Sequence, residues 1–129
     1  MQTFSFNHLA LAVVDVNTSM AFYQRIFNFK EIENTASKSK TRWLSLGEGK
    51  ELHIIPRPEA KVKTVKAVHI AFSTNDFDAF ITHIVALNIP YFDWPGTPNS
   101  FNTRDDGVKQ LYFQDPNRYW IEVNDATQG

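Results

Sequence analysis

A chain of 129 residues, 43% hydrophobic and 21% charged, is one domain's worth and can bury a core without staples. Its formal charge of −1 leaves no basic excess to neutralise phosphates, which argues against a nucleic-acid protein. The absence of cysteine removes disulfides, thiolate nucleophiles and Cys-type zinc sites, and no apolar run approaches the ~20 residues that span a bilayer. The N-terminal stretch lacks a basic flank, an apolar segment and a cleavage site, so a soluble cytoplasmic protein with no membrane partner is expected. Eleven phenylalanines point to aromatic-rich walls in a core, a cavity or a subunit interface. The densest basic run, Lys61, Lys63 and Lys66, reads as a solvated loop.

In chain order, NHLALAVVDV is the first strand-like run. His8, Ala10 and Ala12 share one face and Leu9, Leu11 and Val13 take the other. Val16, Met20, Tyr23 and Phe27 then recur at helical spacing, with Asn17 or Thr18 available as N-cap. Strands follow at residues 29–34, 42–46 and 51–55, the last two joined across Gly47-Glu48-Gly49. Residues 56–63 (PRPEAKVK) form a linker.

The order then recurs. VHIAFSTNDF is a strand in which His69, Ala71 and Ser73 share a face. Phe77, Phe80, Ile81, Ile84 and Leu87 mark a helix capped by Asn75 or Asp76 and stopped by Asn88 and Pro90. Strands follow at residues 89–94, 108–113 and 119–123, with a Pro/Gly/Asn-rich loop after the first and a turn at Asp115-Pro116-Asn117. His83 falls on the polar face of the second helix and reads as surface. The loop DWPGTPNSFNTRDDGVKQ is either plain surface or a lid over a substrate. Each half therefore reads β-α-β-β-β. The expectation is an α+β fold of two βαβββ modules, about 5–56 and about 66–125, in a single domain spanning 1–129.

At an offset of 61, His8 falls on His69, Ala10 on Ala71 and Asp15 on Asp76. At an offset of 71, Glu51 falls on Glu122 and His53 on Asn124. Each half then carries His on its first strand and Glu on its last. A lone His or Glu on a strand is usually just solvated, but solvation gives no reason for the pair to recur. His8, Glu51, His69 and Glu122 form a mixed N/O donor set suited to one divalent ion (Zn, Ni, Mn, Co or Fe), with two carboxylates balancing its charge. Open positions on such an ion serve a water or a substrate oxygen. Small residues beside each His leave room for a cavity. Glu51 and His53 share a strand face, so either could supply the fourth ligand; repeat symmetry favours Glu51.

The stretches HLALAVVDVNTSMAFYQRIFNF, GKELHIIP, VHIAFSTNDFDAF and YFQDPNRYWIEV resemble the vicinal oxygen chelate superfamily, which includes glyoxalase I, bleomycin-resistance proteins, fosfomycin-resistance enzymes and extradiol dioxygenases. The resemblance implies paired modules forming a half-barrel around a metal cavity, and a homodimer whose sites are often shared between subunits. It maps His8, Glu51, His69 and Glu122 onto the glyoxalase I ligands, implying lyase or isomerase chemistry through a metal-bound enediolate, with Glu122 as base and Glu51 its counterpart. Glyoxalase I enzymes usually carry an Arg four residues after the first His to bind glutathione. Ala12 stands there, which counts against glutathione as co-substrate, with Arg25, Arg42 or Arg104 the remaining candidates.

Two other chemistries use His8, His69 and Glu122 alone: an Fe(II) extradiol dioxygenase, and a fosfomycin-type transferase using Mn²⁺. In the latter Tyr112, with Lys109 and Arg104 nearby, matches the family's Tyr and basic loop. A metal-free drug-binding protein of the bleomycin-resistance type is the non-enzyme reading, with Trp43, Trp94, Tyr112 and Trp120 available for stacking. In every reading the partner is a small molecule.

Overall fold

Two aspartates set the helices in the computed structural model, which describes residues 1–127. Asp15 follows strand β1 (His8–Val13), and its carboxylate accepts from the Thr18 backbone N–H at 3.0 Å, opening helix α1 (Val16–Phe27). Asp15 is thus the cap where Asn17 or Thr18 was expected. Asn28 ends the helix in the left-handed region at φ 57°, its N–H donating to the Gln24 carbonyl at 2.9 Å. Short β2 (Glu31–Ile32), β3 (Arg42–Gly47) and β4 (Lys50–Pro56) complete the first module.

Helix α2 (Phe77–Ala86) follows β5 (His69–Ser73) in the same way, with the Asp76 carboxylate accepting from Ala79 N–H at 3.0 Å. Asn88, at φ 58°, turns the chain out of it. Replacing either cap by Ala is expected to cost about 1 kcal/mol of unfolding free energy. Chemical-denaturation midpoints of Asp15→Ala and Asp76→Ala check this.

The second module closes with β6 (Asn102–Thr103), β7 (Lys109–Gln114) and β8 (Trp120–Asn124). A strand over 89–94 was expected here. Only Phe92 pairs, as an isolated bridge to Pro98 and Tyr112. The cause is local: the Asp93 carboxylate accepts from Gly96 N–H at 2.9 Å and Thr97 N–H at 2.7 Å, folding the chain into a turn. The edge position beside β7 is taken by β6 instead. In the first module the expected 29–34 strand likewise shrinks to two residues.

Residue contacts divide the chain into two units, Met1–Val62 and the remainder from Lys63 onward. Each holds one four-stranded mixed sheet, ordered β1-β4-β3-β2 in the first and β5-β8-β7-β6 in the second. β1 runs parallel to β4 and β5 to β8, while the hairpin pairs are antiparallel. In the first unit Leu11, Val13, Leu44, Leu52 and Ile54 form the apolar sheet face and are buried, as are Met20, Tyr23 and Ile26 on α1. The buried helix face thus centres on Ser19, Met20, Tyr23 and Ile26. Val16 and Phe27, expected on it, are half-buried at its margin. In the second unit Phe77 and Ile84 of α2 are buried, with Leu111, Phe113, Ile121 and Val123 on the sheet. No helix among the described residues is long and apolar enough to cross a membrane.

The strand pairing corrects one inference from the repeat. Ala10 lies opposite His53, and its repeat mate Ala71 lies opposite Glu122. On the hairpins Trp43 faces His53 just as Tyr112 faces Glu122. The hairpins therefore correspond at an offset of 69, with His53 on Glu122 and Glu51 on Trp120. The sequence match at 71 is two residues out of register. Burial agrees, since Leu52 and Ile54 then fall on Ile121 and Val123, all four buried.

Candidate metal centre

In the second unit, strand alternation turns the small and polar face of β5, β7 and β8 away from the α2 core. Glu122 is 4% exposed there, and four side chains surround its carboxylate. The Tyr112 hydroxyl donates to Oε1 at 2.8 Å, and Gln110 and Asn124 donate to Oε2 at 3.1 and 2.7 Å. His69 Nε2 lies 3.1 Å from Oε1. Burial raises the proton affinity of this carboxyl and is the largest single influence. The bonds from Asn124, Tyr112 and Gln110, with the field of His69, outweigh it and hold Glu122 below the ordinary carboxylate value. Burial and the bond to Glu122 raise Tyr112, which stays a phenol.

His69 is oriented from behind, its Nδ1 lying 2.8 Å from the Lys66 carbonyl oxygen. A carbonyl only accepts, so Nδ1 carries the proton and Nε2 faces the Glu122 carboxylate. A bare ring nitrogen and a carboxylate oxygen at 3.1 Å repel unless a proton or a cation lies between them. The donor chemistry therefore fits a divalent ion: an imidazole fixed by its outer nitrogen beside an ionised carboxylate.

Lys66 is no solvated loop residue, contrary to the sequence expectation. Its ammonium donates to the carbonyls of Asp93 and Trp94, both at 2.7 Å, and stands 5.0–5.3 Å from the ring centres of Trp94, Tyr112 and Trp120. Burial lowers its proton affinity, against an opposing pull from Asp93. Trp94 in turn packs edge-on against Tyr112 and His69, with ring centres 5.3 and 6.2 Å apart.

In the first unit His8 Nδ1 lies 2.7 Å from the Asn7 side-chain oxygen. The same outer-nitrogen logic leaves His8 Nε2 outward. His8 and His53 stack at 4.0 Å, and His53 stacks on Trp43 at 4.1 Å with planes only 3° apart. His53 Nε2 lies 3.0 Å from a Glu51 carboxylate oxygen. His8, Glu51, His53 and Trp43 thus gather in one unit, and His69, Glu122 and Tyr112 in the other. Among the described residues no three His, Asp or Glu side chains are gathered as a cation cage.

Three of the basic candidates are placed elsewhere. Arg104 pairs with Asp106 inside its own loop, although its charge still reaches Tyr112. Lys109 alternates with Tyr112 along β7 and so points to the opposite face, over the Phe101 ring at 5.6 Å. Arg42, considered for glutathione, is tied to Glu31 at 2.7 and 2.8 Å and to Asn17 at 2.7 Å. Gln110, Asn124 and Asn7 were missed by sequence reasoning. The first two sit two residues from Tyr112 and Glu122, so strand alternation alone could have flagged them.

The model of the Glyoxalase/Bleomycin resistance protein/Dioxygenase superfamily matches residues 5–123. The chain is 30% identical over 130 residues to a metallothiol transferase FosB of Lysinibacillus sphaericus, covering 95% of this chain and 83% of that protein. It is 27% identical over 128 residues to glyoxylase I 4 of Arabidopsis thaliana, covering 92% and 69% respectively. Among solved structures, the fosfomycin resistance protein FosX of Listeria monocytogenes superposes with a TM-score of 0.77 at 26% identity, covering 98% of this chain and 96% of that one. Two βαβββ modules, one histidine on the first strand of each and a family match across nearly the whole length lead to one assignment. The chain belongs to the Glyoxalase/Bleomycin resistance protein/Dioxygenase superfamily.

Proposed function

We propose that this protein is a divalent-metal enzyme with His8, His69 and Glu122 as protein ligands, acting by addition of an external nucleophile to a small oxygen-bearing electrophile. The observation that carries this reading is the strand register. It sets His53, not a carboxylate, at the first-module position equivalent to Glu122. The glyoxalase-type donor set, with Glu51 as fourth ligand and mobile base, loses its symmetry argument. The three-ligand sets of the transferase type remain, and the two FosB and FosX relatives support that branch.

The ion would supply Lewis acidity toward a substrate oxygen. Glu122 balances charge and is a poor proton acceptor, because its donors favour the ionised form. Tyr112 and Asn124 fix its orientation. Trp94 and Tyr112 form an aromatic wall beside His69 that keeps water off one side. The substrate is a small molecule, and the protein acts as a homodimer in the cytoplasm, with His8 and the His69–Glu122 pair contributed by different subunits.

The purified protein is expected to bind one Mn²⁺, Ni²⁺ or Zn²⁺ per chain by titration calorimetry. With Mn²⁺ it is expected to join a small thiol to fosfomycin, the compound named for its FosX relative. Turnover of methylglyoxal hemithioacetal instead of thiol addition would return the protein to the glyoxalase reading. Mixing His8→Ala and Glu122→Gln chains tests sharing: restored activity in the mixture requires ligands from two subunits.

A further inference from the structure

Module equivalence gives His53 the place of Glu122, yet the two residues relate to their neighbouring His in different ways. Glu122 meets His69 edge-on, oxygen to nitrogen, at 3.1 Å. His53 instead lies flat against His8, ring centres 4.0 Å apart and planes 14° apart. Donor lone pairs lie in the ring plane, so those of two parallel stacked rings run side by side and do not converge on one ion. His53 Nε2 is moreover engaged by Glu51, and its other face is covered by Trp43.

His8 needs such support. It is exposed, on the first residue of an edge strand, and its ring is hydrogen-bonded to the adjacent Asn7. A ring fixed by one bond can still swing about its side-chain torsions, whereas a ring also stacked on a held neighbour cannot. His53 is held: Trp43 is buried, and Glu51 is the Cα neighbour of His8 across the β1–β4 ladder.

We propose that His53 is a positioning residue whose ring, held between Trp43 and Glu51, sets the plane of His8 and aims its Nε2 at the metal position. Glu51 then orients His53 and is not a ligand. This rests on the ligand set proposed above.

The test compares divalent-metal affinity by calorimetry in four variants, with thermal melts confirming that each folds. His53→Ala is expected to weaken Mn²⁺ or Ni²⁺ binding about tenfold, the range of a lost outer-shell support. His53→Phe keeps a flat ring between Trp43 and His8 and should restore wild-type affinity. Glu51→Gln keeps an acceptor for His53 and should weaken affinity by less than His53→Ala does. In the metal-free protein, ¹H–¹⁵N correlation should show one His8 tautomer in the wild type and in His53→Phe, and a mixture in His53→Ala.

The inference is overturned if His53→Phe binds as weakly as His53→Ala, which would make His53 a ligand. It is also overturned if His53→Ala binds normally, or if Glu51→Gln loses affinity as a ligand would. His8→Ala is the control for the underlying reading. Undiminished affinity there removes His8 from the ligand set and the inference with it, whereas lost affinity there beside a neutral His53→Ala removes the inference alone.

Discussion

Glu122→Gln should weaken divalent-metal binding by a factor on the order of 100 or more, about 2.7 kcal/mol, and remove turnover with it. The amide carries no charge to balance the ion. Whichever way it turns, its NH₂ replaces one of the two oxygens that accept from Tyr112, Gln110 and Asn124. The pH dependence separates this variant from the wild type. The folded-state value of Glu122 lies below the ordinary 4.5, so its ionisation contributes stability that is fully present above that value. The contribution is lost as pH falls through the lowered folded value. Melting temperatures of the metal-free wild type should therefore drop more steeply below about pH 4.5 than those of Glu122→Gln. Parallel curves would mean that the carboxylate is not held as its three donors imply.

Lys66→Ala should lower unfolding stability by about 2 kcal/mol. Two charge-assisted bonds to the Asp93 and Trp94 carbonyls disappear, and three aromatic rings lose the cation they surround. Water reaches the exposed Trp94 carbonyl and limits the loss. In a chain of this length that corresponds to roughly 8 °C in melting temperature. Lys66→Met separates the causes. Its stem still fills the space between the rings, so recovery of the wild-type melt would assign the effect to packing, and a loss equal to that of Ala would assign it to the ammonium. The variants should also weaken metal binding several-fold, because the Lys66 side chain anchors the backbone segment whose carbonyl fixes His69.

Both modules, both helices and the long hairpins were legible in the sequence because their signals are local. Alternation placed β7 and β8 within one residue, and Asn88 and Pro90 marked the end of α2. The short edges were less legible. Apolar residues at 89–94 suggest a strand, but the Asp93 side chain accepts from the N–H groups of Gly96 and Thr97 and folds the chain into a turn there. The helix cap was missed by two or three residues because Thr18 is equally good as a cap and as the third residue of a capped helix. The register error is of another kind. Side chains alternate with period two, so a slip of two leaves every residue on its proper face. Glu51 and His53 both face the same side of β4, and it takes the ladder partners, Ala10 with Ala71 and Trp43 with Tyr112, to tell them apart. Lys66 gave no local signal, since a lysine three residues ahead of a strand looks the same whether it meets water or three rings.

The near-parallel stack of Trp43, His53 and His8 has a consequence for how such a scaffold diversifies. One point in each module carries the deciding side chain, a carboxylate in the second and an imidazole in the first, while the strands around it are the same. Exchange at that point alters the donor count without disturbing the core on the far face of the sheet. A single His53→Glu replacement would give both halves the same donor.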